Sequence, residues 1–179
     1  CFSESTDKLM DHIVGASDRL SRLVKGLLML TGIENFGDKE EINLNRLIGN
    51  VLVSLEQIIT EKNASIEVLE LPHIFAYEHH VVTVFQNLIE NSLKYSPSDV
   101  QINIGEQNGW IYVRDKGIGI DSDDFEEIFK PFVRLQSNAF YEGTGLGLPS
   151  VKRIANLNGW ELKVDSAVGQ GSTFWIKFK

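Results

Sequence analysis

The stretch Phe85-Gln86-Asn87-Leu88-Ile89-Glu90-Asn91-Ser92-Leu93-Lys94-Tyr95 admits few folds, because a helix sorts its polar and apolar residues onto separate faces. Asn87, Asn91 and Lys94 lie four and three residues apart and project from one face. Val81, Val84, Phe85, Leu88 and Leu93 occupy the other and can pack on a core. Any fold of this chain must bury one side of this helix and present two carboxamides and an ammonium on the other. Such a neutral-to-positive strip suits a hydrated metal ion and a chain of phosphates. The plainer alternative is a solvated helix face, the commoner fate of Asn and Lys.

The flanking elements place that helix in a layered fold. Ile42-Asn43-Leu44 reads as an edge strand, and Leu47, Ile48, Val51, Leu52, Leu55, Ile58 and Ile59 form a helical stripe running out near 61–63. Residues 66–71 read as a strand. After Pro72 an extended piece reaches Tyr77, and the strip-bearing helix then covers 78–95. Val100, Ile102 and Ile104 alternate, Asn108-Gly109 makes a hairpin turn, and Ile111 and Val113 alternate again. Asp121-Ser122-Asp123-Asp124 caps a short helix through Ile128. Residues 133–145 lack an apolar period and read as a loop. Pro149 falls in the first turn of a further helix. Leu162 and Val164, then Phe174, Ile176 and Phe178, make two last strands. The predicted class is α+β: a two-layer α/β sandwich, a mixed sheet with helices on one face.

Upstream, Leu9, Ile13, Ala16, Leu20, Leu23, Leu27 and Leu30 alternate four and three apart, a heptad seam preceded by N-cap residues among 3–7. Either this is an amphipathic helix packed on the domain or it is one arm of a hairpin that dimerises. The length of the seam favours the second. The chain divides on this reading into 1–36 and 37–179.

The net charge of −8 argues against general nucleic-acid binding and against docking on an anionic membrane. Cys1 is the only cysteine, so no internal disulfide can form, and a reducing, cytoplasmic compartment is the expectation. No apolar run reaches membrane-span length. The chain lacks an initiating Met and reads as a fragment, which leaves open a membrane attachment in its parent.

Three glycine segments complete the pattern: Asp115-Lys116-Gly117-Ile118-Gly119-Ile120, Gly143-Thr144-Gly145-Leu146-Gly147 and Gly169-Gln170-Gly171-Ser172-Thr173-Phe174. Between the first two lies Ile128-Phe129-Lys130-Pro131-Phe132-Val133-Arg134. A dinucleotide fold needs Gly-x-Gly-x-x-Gly directly after a first strand. Here the glycines alternate late in the chain, after a long loop, and the Walker lysine motif is missing. With the asparagine helix, these motifs in this order resemble the ATP-binding domain of two-component sensor histidine kinases, in the superfamily shared with gyrase-type ATPases and MutL. The resemblance runs from about Asp7 to the C-terminus.

That resemblance implies a Bergerat-type ATP-binding fold, ATP and Mg²⁺ as ligands, and roles for named residues. Asp115 takes the adenine-binding place, and the chemistry agrees. An ionised carboxylate only accepts hydrogen bonds, adenine offers an amino group, and guanine offers a carbonyl at the same position. Gly117 and Gly119, followed by Ile120, let backbone approach the base. Asn91 takes the Mg²⁺-ligating place, and Mg²⁺ favours oxygen ligands and retained waters. Asn87, one turn earlier, would hold a metal-bound water or a phosphate. Lys94 would be a phosphate counter-charge and Tyr95 a packing wall. Backbone amides of Gly143, Thr144, Gly145, Leu146 and Gly147, before a helix, can cradle phosphate. Residues 133–145 would be the lid, anchored by Phe129 and Phe132, with Arg134 at its base reaching toward the phosphates. Thr173 matches a place at the back of the adenine pocket.

The family phosphorylates a histidine usually followed by Glu or Asp. His12, His73, His79 and His80 are followed by Ile, Ile, His and Val, so the acceptor helix is expected upstream and residues 1–36 resemble the second helix of the dimerisation hairpin. The histidine pair is weak as a zinc site without a third ligand. Implied partners are the parent's acceptor helix, a response-regulator receiver domain and a second copy in a homodimer. Lys116 and Asn158-Gly159-Trp160 depart from the family pattern. A hydrolysing or serine-phosphorylating relative is the rival enzyme reading, weakened because Asn87 stands where such relatives carry a water-activating glutamate. A nucleotide-reporting scaffold is the rival outside enzymes.

Overall fold

The computed structural model describes Met10, Ser17 and residues 37–97, 99–135 and 144–179. The heptad helix expected over 1–36 thus lies outside the described residues, Met10 and Ser17 apart. The described elements are β1 (Glu40–Asn43), α1 (Leu44–Ser54), α2 (Glu56–Glu61), β2 (Ser65–Val68), β3 (His73–Ala76), α3 (Glu78–Lys94), β4 (Gln101–Gln107), β5 (Trp110–Asp115), α4 (Gly147–Asn158), β6 (Glu161–Ser166) and β7 (Ser172–Lys177). Two 3₁₀ turns, Ser122–Asp124 and Glu127–Phe129, follow β5.

The main sheet runs β2-β4-β5-β7-β6, with β2 parallel to β4 and the other pairs antiparallel. β1 and β3 form a separate antiparallel pair. The expected α+β class, with a mixed sheet under helices, is what the chain adopts. Alternation decides which side of each strand is buried. Ile102, Ile104, Ile111, Val113, Phe174 and Ile176 meet Val81, Val84, Phe85, Leu88 and Leu93 of α3 in one core, with Val151 and Ile154 of α4 beside them. The opposite side of β5, β6 and β7 carries Tyr112 and Trp175, with ring centroids 5.3 Å apart and Lys163 and Arg114 over the rings.

Local hydrogen bonds explain where boundaries depart from the apolar pattern. Leu44, expected in a strand, starts α1 because Asn43 Oδ1 accepts the Arg46 amide at 2.9 Å as an N-cap. The stripe from Leu47 to Ile59 is two helices rather than one. Ser54 Oγ donates to the Val51 carbonyl at 2.6 Å, and the Leu55 amide is shared between the carbonyls of Val51 and Leu52. The strand expected over 66–71 ends at Val68. There the Asn45 carboxamide takes over the backbone, donating to Leu69 O and accepting from the Leu71 amide. The β4–β5 turn uses Asn108 at φ 55° and Gly109 at φ 78°, the paired positive angles of a tight hairpin. The helix expected after Asp121 is the pair of 3₁₀ turns, the first capped by Asp121 Oδ1 on the Asp123 amide.

α3 and α4 lie side by side and are stapled at one end. Asn158 Nδ2 donates to His80 Nδ1 at 3.0 Å and to Ile154 O at 2.8 Å. Burial and the neighbouring His79 ring hold His80 below the usual imidazole range, so it stays neutral and accepts this bond. Both the histidine pair and the Asn158 departure therefore belong to helix packing. Gly159 at φ 70° closes α4 in the left-handed region.

Phe85 is fully buried at the centre of this core and stacks on Phe178, with ring centroids 6.5 Å apart. Phe85→Ala is expected to lower unfolding free energy by about 3–5 kcal/mol, read by urea denaturation.

Candidate functional site

A cleft of about 360 Å³ opens between α3, the segment after β5 and the start of α4. The strip on α3 faces it as the spacing requires: Asn87, Asn91, Lys94 and Tyr95 all line the cleft. So do Asp115, Gly119, Ile120, Arg134, Thr144, Gly145 and Gly147. Gly143 lies outside the described residues.

Asp115 sits at the floor, 8 % exposed. Oδ1 accepts the amides of Gly117 at 2.8 Å and Ser172 at 3.1 Å, and Oδ2 accepts the Ser92 hydroxyl at 3.1 Å. Burial pushes its carboxyl above the usual carboxylate range, and the three donors pull against that shift.

Glycines make this packing possible. A Cβ on Gly117 would meet the Tyr95 carbonyl at 2.7 Å, and one on Gly171 would meet the Asp115 carbonyl at 2.1 Å. Gly119, at φ 71°, has room only for hydrogen, since a Cβ would fall 1.9 Å from Ala167 O. The loop after Asp115 is braced on both sides. The Ile118 amide donates to Tyr95 O at 3.0 Å, the Gly169 amide to Ile118 O at 2.7 Å, and the Ile120 amide to Ser166 Oγ at 2.8 Å.

At the other end of the cleft Gly145 and Gly147 lead into α4. Gly147 abuts Asn87, whose Oδ1 would lie 2.7 Å from an added Cβ. Asn87 Nδ2 donates to Thr83 O at 2.7 Å, which fixes the carboxamide with Oδ1 toward the helix start. The free amides of a helix N-terminus favour an anion there. Lys94 Nζ donates to Tyr95 Oη at 3.0 Å and lies 4.6 Å from that ring's centroid. Among the described lining residues Glu90, Asp115, Asp121 and Asp124 are acidic, while Lys94 and Arg134 are basic. A polyanion entering this cleft gains from a divalent cation at its side. The oxygens of Asn91 and Asn87 are the hard donors such a cation takes, so the residues present fit Mg²⁺.

Three expected site residues do not line the cleft, and one of them, Gly117, is buried beside Asp115 with its amide on Oδ1. Thr173 does not line the cleft: alternation along β7 turns it to the opposite side of the sheet, where its Oγ1 accepts from Arg114 Nε at 3.3 Å. Ser172 and Phe174 hold the cleft side instead. Leu146 is buried behind the glycines, its carbonyl accepting the Ser150 amide and hydroxyl. Ser92 and Ser172 are the site residues that sequence reasoning missed. The alternation of Ser172 with Phe174 and Ile176 carried the signal for one. For Ser92 there was none, because a buried serine on the apolar flank of a helix looks like a small packing residue.

Residues 76–179 match the family of histidine kinase-, DNA gyrase B- and HSP90-like ATPases. The chain is 31% identical over 185 residues to the phytochrome-like protein Cph1 of Synechocystis sp., covering 98% of this chain and 25% of that protein. It is 31% identical to the adaptive-response sensory kinase SasA of Prochlorococcus marinus, covering 94% of this chain and 47% of that one. The chain thus spans about a quarter to about half of these relatives' length. Full-length ShkA, crystallised in complex with AMPPNP, shares the fold at a TM-score of 0.77 and 24% identity, over 95% of this chain and 38% of that one.

The raised Asp115 carboxyl has a signed consequence for stability. Between the unfolded value near 3.8 and the higher folded value, the native state binds more protons than the unfolded state. The Asp115 contribution therefore favours folding at low pH and is lost as pH rises through that window. Asp115→Asn, which cannot titrate, is expected to gain stability relative to wild type as pH rises from about 4 to neutral. Paired thermal melts across that range read the difference; a constant gap between the two proteins would contradict it.

Proposed function

Because the chain belongs to the histidine kinase-, DNA gyrase B- and HSP90-like ATPase family, we propose that it is the ATP-binding catalytic domain of a two-component sensor histidine kinase. The buried carboxylate of Asp115 carries this reading. It offers an acceptor at the floor of a cleft whose opposite end is a glycine-flanked helix start. That polarity suits a purine with an amino group at one end and phosphates at the other. Gly119 would take the base edge, with Ile120 against it and Gly117 keeping the loop close behind Asp115. Gly145, Gly147 and the start of α4 would take the phosphates, together with Lys94 and Arg134. Asn91 would ligate Mg²⁺ and Asn87 would hold one of its waters. The ion, when bound, would neutralise charge on the phosphate chain.

Transfer of the γ-phosphoryl group depends mainly on positioning and charge neutralisation, which this set of residues supplies. The acceptor is a histidine outside the chain. Among the described residues no histidine lines the cleft: His73 bonds Asn43 at 2.9 Å on the β1–β3 pair, and His79 and His80 open α3. In this reading residues 1–36 are the second helix of a dimerisation hairpin and 37–179 the catalytic domain. The longer protein is a homodimer that passes its phosphoryl group to a response-regulator receiver domain in the cytoplasm. No helix among the described residues is long and apolar enough to cross a membrane.

Calorimetric titration tests the nucleotide. Mg-ATP is expected to bind and Mg-GTP to bind far more weakly. Asp115→Asn folds with Oδ1 still accepting both amides, but turns a donor toward adenine. It should lose at least about tenfold in ATP affinity, about 1.4 kcal/mol, and narrow the gap to GTP. Asn91→Ala should remove most of the magnesium dependence. Equal binding of ATP and GTP by wild type would sink the adenine assignment.

Incubation with γ-labelled ATP tests the reaction. The chain alone is expected to stay unlabelled, and adding a polypeptide that carries the longer protein's acceptor helix should yield acid-labile label on that helix. Label on His12, His73, His79 or His80 would place the acceptor within this chain. Steady release of phosphate, abolished by Glu90→Gln, would mark a hydrolase.

A further inference from the structure

Ser92 is 1 % exposed on α3, and its hydroxyl donates to Asp115 Oδ2 at 3.1 Å. Asp115 has two other donors, the amides of Gly117 and Ser172, and both act on Oδ1. Among the described residues Oδ2 thus has one partner, and that partner is a helix side chain rather than backbone. The two oxygens are made unequal. Oδ1 is committed to the loop and to β7, while Oδ2 keeps a lone pair for something in the cleft. Were the carboxyl to take up a proton, it would sit on Oδ2, because Oδ1 faces two N–H groups. Oδ2 would then be a donor, the wrong polarity for an amino group and the right one for a carbonyl.

We infer that Ser92 is a positioning residue for purine selection: its buried hydroxyl holds Asp115 Oδ2 in the acceptor state on which discrimination of an amino-bearing base depends. This rests on the proposed nucleotide reading and specifies which side chain sets its range. A donor to the ionised carboxylate opposes the burial that favours the neutral form. Other charges near the group are Lys116 on the same loop, Glu90 and Lys94 on α3, and Asp121, Asp124 and Arg134 across the cleft. All of them stay in place when Ser92 alone is changed, so a comparison at this one position isolates the hydroxyl. Ser96 Oγ bonds the Ser92 carbonyl at 2.8 Å, a backbone contact that side-chain replacement leaves intact.

The test is the pH profile of purine binding in Ser92→Ala and in Ser92→Cys, which keeps the side-chain shape in a slightly larger group but donates weakly. ADP and GDP affinities with Mg²⁺ are measured by calorimetry from about pH 5 to about pH 8, with tripolyphosphate as a probe that lacks the base. In Ser92→Ala the fall in ADP affinity on acidification should begin about one pH unit above that of wild type, the size expected for losing one hydrogen bond to an ionised carboxylate. ADP preference over GDP should shrink about tenfold at the acid end, and tripolyphosphate affinity should stay unchanged. Ser92→Cys should fall between, and it serves alone if the alanine protein does not fold. Carbon-13 titration of the Asp115 carboxyl without nucleotide should show the same displacement. Coincident midpoints in wild type and both variants would overturn the inference. Failure of wild type to bind ADP at all would overturn the nucleotide reading instead, while the carboxyl titration would still decide the role of Ser92.

Discussion

A carboxylate removed from water at Asp115 is the constraint around which the site is built. An ionised group buried without partners costs several kcal/mol, so the fold must bring donors to it. They arrive from three places: the Gly117 amide two residues on, the Ser172 amide at the start of β7, and the Ser92 hydroxyl on α3. Each supply line imposes a condition. Backbone must pass so close that Gly117 and Gly171 cannot carry a Cβ. β7 must pair with β5 in a register that puts Arg114 opposite Thr173 and leaves Ser172 at the level of Asp115. α3 must cross the sheet so that a small residue, and not a leucine, faces the carboxylate.

The same helix serves both ends of the cleft. Its buried face fixes its height on the sheet through Phe85, Leu88 and Leu93, and its polar face then has no freedom in where it points. Asn87 reaches the start of α4, Asn91 lies in the middle, and Tyr95 carries the backbone that meets Ile118. The bond between His80 and Asn158 ties the start of α3 to the end of α4, and Asn87, midway along α3, meets Gly147 at the start of α4. The two helix starts and ends are thus coupled through rigid elements rather than through loops.

Acidic lining residues give the cleft a second character. With Glu90, Asp121 and Asp124 lining the same cleft as an anion-favouring helix start, a phosphate chain entering it meets charges of both signs. A divalent ion would reconcile the two, and the carboxamides of Asn87 and Asn91 would bring oxygen to it without adding charge.

Most of this architecture was legible in the chain, because periodicity reports which side of an element is buried. The strip on 85–95 and its apolar back, the hairpin at Asn108-Gly109, and the glycines bracketing Asp115 all followed from spacing and backbone chemistry. Boundaries at Leu44, Leu55 and Val68 did not follow. Single side chains from Asn43, Ser54 and Asn45 decide them, and competition between a side chain and the backbone leaves no period to read. The misplacement of Thr173 by one residue has a similar origin: a strand presents two faces, and only its pairing with β5 settles which of Ser172 and Thr173 meets the carboxylate. By itself the sequence determined the class of fold, the helix strip and the acidic residue at the end of β5, since these depend on local spacing. The distant partners of that carboxylate were decided by tertiary structure alone, because Ser92 and Ser172 reach it only when a helix and a strand pack on one buried charge, whereas the Gly117 amide is a turn contact two residues on.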